Sequence, residues 1–186
     1  MKKLTLSIIA VLGMSFGALA QADTRTDNHT ITITIPEVAL LDIELAGSKN
    51  ISTAFTAPTE AGLAITGPTT GLNTLWLNYS SIVTSGGTDD FRTISVKATG
   101  LVAGVLLNVT AGTPMVAGGS GGVPVPITSV NTVDQTIMNN IGSVYTGDGV
   151  GAGSNITYAL SAPSTTYGSL IAGTPIVTVI YTLSDN

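Results

Sequence analysis

Polar and apolar residues alternate with a period of two in segment after segment of this 186-residue chain. Beyond residue 22 no stretch holds a helical apolar period. A chain patterned this way buries one face of each strand, so its strands must stack into sheets. Residues 30–35, TITITI, put Ile31, Ile33 and Ile35 on one face and Thr30, Thr32 and Thr34 on the other. Pro36 lacks a backbone donor and ends or bends that ladder. VALLDIEL follows, with Leu41, Ile43 and Leu45 inward and Asp42 and Glu44 outward.

Further strands follow the same rule. GSKN is a turn, and residues 51–66 read as two short strands around Pro58. TLWLNYSSIV places Leu75, Leu77 and Tyr79 on one face and Trp76, Asn78 and Ser80 on the other. FRTISVKATG alternates Ile94, Val96 and Ala98 against Thr93, Ser95 and Lys97. GVLLNVTAG alternates Val105, Leu107 and Val109, and the two segments are expected to pair as a hairpin across GLVAG. The Gly-rich tip before VPVPITS leads into a Pro-containing edge strand. VDQTIMNNIGSVYT is the least regular stretch and reads as a short helical turn, then a strand. GDGVGAGSN is a loop, and ITYALS a strand with Ile156, Tyr158 and Leu160 inward. In the last segment, PIVTVIYTLSDN, Val177, Val179, Tyr181 and Leu183 share a face opposite Ile176 and Ile180. About ten short strands with turn signals every ten or so residues predict an all-β, immunoglobulin-like antiparallel sandwich of two sheets in one domain.

The first residues are of another kind. Lys2 and Lys3 precede an apolar run from Leu4 to Phe16, with small residues at Ala18, Ala20 and Ala22. This is the layout of a secretory signal peptide over residues 1–22, cleaved after Ala20 or Ala22, and its apolar run is short for a membrane span. An uncleaved anchor is the alternative. Residues 23–186 are then the sandwich domain, with 23–36 a possible donor strand. The chain has no Cys, which excludes a lipid-anchored lipoprotein signal and leaves an exported fold resting on its core. Six Lys and Arg stand against eleven Asp and Glu; without Lys2 and Lys3 the balance is 4 − 11 = −7. Nothing in it supplies a cationic footprint for nucleic acid. Only 9% of residues are charged, fewer than in a typical soluble enzyme.

Catalytic constellations are not evident, and the chain is read as non-enzymatic with no cofactor and no metal. His29, the one histidine, lies beside Asp27 and Asn28 and reads as solvated. One His and no Cys rule out a zinc site by spacing, and no G-x-S-x-G accompanies a nucleophile. Asp89 and Asp90 fall in a turn. Asp148 and Asn155 offer oxygens in the loop 147–155, but calcium favours six to eight oxygen ligands and usually several carboxylates, so the loop reads as a turn and calcium there stays open. GGSGGVP lacks the Lys and Ser/Thr of a phosphate-binding loop. Asn-x-Ser/Thr occurs at Asn28, Asn50, Asn78, Asn108 and Asn155, as expected by chance in a Ser/Thr-rich chain. Trp76, the sole Trp, alternates onto a polar face and is a possible ligand contact.

The two ends carry the remaining signal. The Ile side chains at 31, 33 and 35 cannot by themselves offset the backbone entropy of ordering that segment, so the strand needs a slot between two ladders. DTRTDNHTITITIP at the front and GTPIVTVIYTLSDN at the back resemble the ends of chaperone–usher fimbrial subunits. Gly173 stands fourteenth from the end, where that family commonly has a Gly. The family's penultimate Tyr is missing, since Tyr181 is sixth from the end, and so is its usual disulfide. The resemblance implies an incomplete sandwich completed by the front strand of the next subunit, with Ile31, Ile33 and Ile35 as donor residues and Val177, Val179, Tyr181 and Leu183 lining the acceptor. It implies as partners further copies or homologous subunits, a periplasmic chaperone and an outer-membrane pore, and a place on the extracellular surface. The alternative is a secreted binding module for glycan or protein, complete in itself and using loops 113–125 and 145–155 with Trp76.

Overall fold

A computed structural model describes residues 25–185 apart from 46, 70, 71 and 88. The expected signal peptide lies outside the described residues. The chain divides into two units after Thr34. The described part of the first unit, residues 25–34, contains no strand or helix and is exposed. The expected strand over 30–35 is therefore not formed among the described residues, since a strand exists only where a neighbour completes its hydrogen bonds.

The second unit, from Ile35 onward, is a two-sheet antiparallel sandwich, as the alternation predicts. Its strands are β1 (Val38–Glu44), β2 (Leu75–Ile82), β3 (Arg92–Thr99), β4 (Leu106–Ala111), β5 (Gly118–Gly119), β6 (Val123–Pro124), β7 (Gln135–Ile141), β8 (Val144–Tyr145), β9 (Ser154–Ser161) and β10 (Thr178–Asp185). A single 3₁₀ turn, Tyr167–Ser169, is the only helical element among the described residues. In the first sheet β1 follows β2 along its length, while β9 and β8 share the other side of β2, with β4 beyond β9 and β5 beyond β8. The second sheet has the order β10-β3-β7-β6.

Between the sheets lies a core of inward residues. Leu77, Ile94, Val96, Val109, Ile137, Met138 and Ile141 are all fully buried. The faces assigned by alternation to β2, β3 and β9 are the faces that point inward. β7 departs from strict alternation: the β3–β7 register shifts on both sides of Ile94, and Asn140 sits at φ 55°. Such a bulge turns the strand so that Ile137, Met138 and Ile141 all reach the core.

Three expectations are corrected. β3 and β4 do not form a hairpin; they belong to different sheets. The link between them crosses from one layer to the other, with Gly100 at φ 72° against the carbonyl of Ile176, where a side chain has no room. Residues 51–66 form one isolated bridge, Thr56 with Thr66, rather than two strands. Residues 135–141 are strand throughout, with no helical turn.

One flank of the sandwich is closed by the chain itself. Residues 123–131 pass from the second sheet to the first. Val125 N–H donates to the Ile137 carbonyl at 2.7 Å. Ile127 and Val109 exchange backbone bonds at 2.9 and 3.0 Å. Val130 N–H donates to the Leu107 carbonyl, and Ala98 N–H to the Asn131 carbonyl, both at 2.8 Å.

Candidate functional site

The opposite flank has no such cover. Among the described residues, β1 pairs only with β2 and β10 only with β3, so each leaves one edge without a ladder. These edges face each other across the two layers: β1 and β10 approach within 8 Å, Cα to Cα, at their nearest points. The inward residues of β1 and its extension, Leu41, Ile43 and Leu45, are only partly buried. So are Val177, Val179, Tyr181 and Leu183 on and just before β10. Their neighbours one strand inward, Leu77 beside Ile43 and Val96 beside Tyr181, are fully buried. The core therefore thins into an apolar seam with an unpaired strand edge on either side. An unpaired edge beside an apolar cleft is the template on which an added strand forms. A strand between two others needs about 9.5 Å from one flanking strand to the other. A strand entering here must part β1 from β10.

One end of the seam is locked by Arg92, the first residue of β3, which is only 2% exposed. It occupies the inward face shared with Ile94, Val96 and Ala98. Its Nε donates to Asp185 Oδ1 at 2.7 Å, at the end of β10. One terminal nitrogen donates to the Val38 carbonyl, to Ser81 Oγ at 3.1 Å and to the Ile82 carbonyl at 3.1 Å. The other donates to the Glu37 carboxylate. The planar guanidinium can satisfy these partners together, which a lysine ammonium cannot. A charge this deep is tolerated because every side of it is bonded. The clamp thus joins the start of β1, the end of β2 and the end of β10. Arg92 shares its parity with Ile94, Val96 and Ala98, and a lone cation in register with three apolar residues is the signal in the sequence that could have found the clamp.

Within the seam, Tyr181 and Tyr158 share a hydroxyl–hydroxyl hydrogen bond of 2.8 Å. This bond spans the interior from β10 in one sheet to β9 in the other. Burial raises the Tyr181 phenol well above its ordinary value, and the adjacent Tyr158 raises it further. Burial also raises Tyr158. The outer face of β1 carries an ion pair: Lys49 donates to Asp42 at 2.6 Å. That bond lowers the Asp42 carboxyl and raises the Lys49 ammonium.

The structure thus brings Val177, Val179, Tyr181 and Leu183 onto one wall of the seam. Ile31, Ile33 and Ile35 are 73%, 78% and 72% exposed. Gly173 has open space where a Cβ would stand, so no steric need for glycine exists there. Trp76 is half-buried on the outer face of β2, between Glu44 of β1 and Asn155 of β9. The Asn155 amide is engaged with the carbonyls of Asn73 and Leu75. Loops 113–125 and 145–155 join through a bridge between Met115 and Gly153. His29 is exposed. Among the described residues no three His, Cys, Asp or Glu side chains gather in a way that could hold a metal.

No protein-family model, no curated protein and no solved structure matches this chain.

Proposed function

We propose that this protein is a structural subunit of an extracellular, fimbria-like assembly, joined by strand addition. Residues 28–35 of one copy enter the seam between β1 and β10 of the next. The observation that carries this is the pairing of two incomplete features in one chain. The seam offers two unpaired edges around apolar walls, and the front segment offers Ile31, Ile33 and Ile35 on one face, all exposed. Backbone ladders to both walls supply affinity, and alternate Ile side chains supply register. Because donor and acceptor are different surfaces, the contact repeats head-to-tail from copy to copy, and where its rotation does not close on itself it extends into an open filament. The resemblance of the two chain ends to chaperone–usher subunits agrees with this arrangement. On this reading the chain is exported through the periplasm after signal cleavage, with a periplasmic chaperone and an outer-membrane pore as further partners, and it performs no catalysis.

The test is a chain lacking residues 23–35, compared with the full mature chain by sedimentation and electron microscopy. The full chain forms linear assemblies and the shortened one does not. A synthetic peptide of residues 25–36, added during refolding, binds the shortened chain and raises its thermal midpoint, whereas the same peptide carrying Ile33→Asp fails. A shortened chain that associates as the full chain does, or ignores the peptide, overturns the proposal.

A further inference from the structure

We infer that Pro36, Glu37 and the Arg92 clamp prevent the front segment from completing its own domain and force its donation to another copy. This rests on the strand-addition reading and decides between two partners that reading allows, the chain's own seam and a neighbour's.

A strand in the seam runs either antiparallel or parallel to β1, and each direction fails within one chain. Consider first the antiparallel case, in which residues 30–35 double back from β1 as a hairpin. Using Pro36 and Glu37 as a two-residue loop sets Ile35 opposite Val38, Ile33 opposite Leu40 and Ile31 opposite Asp42. Residues directly opposite share a face. Leu40 is 65% exposed and Asp42 is paired with Lys49 on the outer surface, so this register turns all three Ile side chains away from the core. The favoured two-residue hairpin turns also need a positive φ at their first position, which the proline ring forbids.

A three-residue loop, Pro36–Val38, corrects the register, setting Ile33 opposite Leu41 and Ile31 opposite Ile43. It demands a left-handed conformation at its last residue, here the β-branched Val38. It also pulls Val38 out of its pairing with Ile82 and its carbonyl off Arg92. A longer loop taken from β1 strips still more of it from β2, and a loop taken from the front, Ile35–Glu37, spends Ile35 in the turn and puts Pro36 at the second central position, where its ring forces Ile35 out of the right-handed region that a type I turn needs.

The parallel case fails on length. It would carry Ile35 toward the far end of β1. That strand has seven residues and spans about 20 Å. Ile35 is tied to Val38 by three residue steps, which reach about 11 Å at most. The clamp fixes the near point, since Arg92 holds both the Glu37 carboxylate and the Val38 carbonyl. Register, turn chemistry and reach thus agree: the segment cannot pair in its own seam with all three Ile side chains inward, and a second copy is the partner left to it.

The experiment removes the restriction without touching either surface. Twelve Gly/Ser residues inserted between Ile35 and Pro36 give a tether of about 19 Å root-mean-square length, matched to the span of β1. The effective concentration of the front segment at its own seam then rises to about the millimolar range. At micromolar protein this favours closure within the chain by roughly a thousandfold. The insertion variant becomes a monomer with a thermal midpoint above that of the parent monomer, and its β10 amides gain at least about tenfold protection from hydrogen exchange. Combining the insertion with Ile31→Thr, Ile33→Thr and Ile35→Thr abolishes that gain. An insertion variant that assembles as the parent does, or whose monomer is no more stable and no better protected, overturns the inference. If the 25–36 peptide also fails to bind the chain lacking 23–35, the fault lies in the strand-addition reading; if the peptide binds, it lies in the restriction alone.

Discussion

The two flanks of this sandwich solve the same problem differently. On one, residues 123–131 cross between the sheets and give backbone bonds to β7, β4 and β3. Val109 beneath them is fully buried, and Ile127 and Val130 of the segment itself are buried too. On the other, β1 and β10 meet without a ladder between them, and their inward side chains stay partly exposed. The same kind of alternating strand lies on both sides, so composition does not explain the difference. What differs is whether the chain supplies a covering segment. The closed flank is held by its own backbone. The open flank is held at one end by the Arg92 clamp and in its interior by the bond between Tyr158 and Tyr181.

The sharpest way to break this contrast is a matched pair of truncations. Val109→Ala on the closed flank removes two fully buried methyl groups and costs about 2–3 kcal/mol in urea denaturation. Val179→Ala on the open flank removes the same atoms from a partly exposed site and costs about 1 kcal/mol or less. Adding the 25–36 peptide raises the second cost and leaves the first unchanged. Equal costs without peptide would mean that the seam is already filled. A smaller effect tests the clamp. Arg92→Lys keeps the charge but loses the fork that reaches Glu37, Asp185 and Val38 together, at a cost of about 1–2 kcal/mol. Hydrogen exchange then rises first at Val38 and Asp185. A cost confined to the closed flank's amides would remove the clamp from this account.

How much of this was legible in the sequence depends on the range over which each feature is set. Inward faces were readable because the period of two is a property of the strand itself. Leu75, Leu77 and Tyr79, or Ile94, Val96 and Ala98, needed no knowledge of their neighbours. Pairing was not readable in the same way: nothing in GLVAG announces that the chain changes sheets rather than turning back, and the Gly100 approach to Ile176 joins residues far apart in sequence. The Arg92 clamp was half legible. Its parity with Ile94, Val96 and Ala98 stands in the sequence, but its partners Glu37 and Asp185 lie 55 and 93 residues away. The shared inward face of Val177, Val179, Tyr181 and Leu183 was readable from its pattern, whereas the facing wall on β1 and the gap between the two emerge only from topology.

The smallest predicted effect probes the interior of the open flank through pH. Tyr181 and Tyr158 hold their phenols above the ordinary value, chiefly through burial, and burial on β2 pushes Tyr79 up to about 12. A phenol ionises only by losing its proton, so a raised value in the fold means that the unfolded chain ionises first as pH climbs. The stability these groups contribute is complete below about pH 10, the unfolded value, and falls as pH rises toward the folded values. Tyr181→Phe leaves the Tyr158 hydroxyl without its partner and costs about 1 kcal/mol at neutral pH. It also removes one of the groups whose ionisation opposes folding, so its stability declines less steeply above pH 10 and the curves of parent and variant converge. Filling the seam with the 25–36 peptide raises stability but leaves the slope just above pH 10 unchanged, because the buried Tyr181 phenol already keeps its proton in the fold there. Parallel curves for parent and Tyr181→Phe would place the Tyr158–Tyr181 bond outside the interior of the open flank.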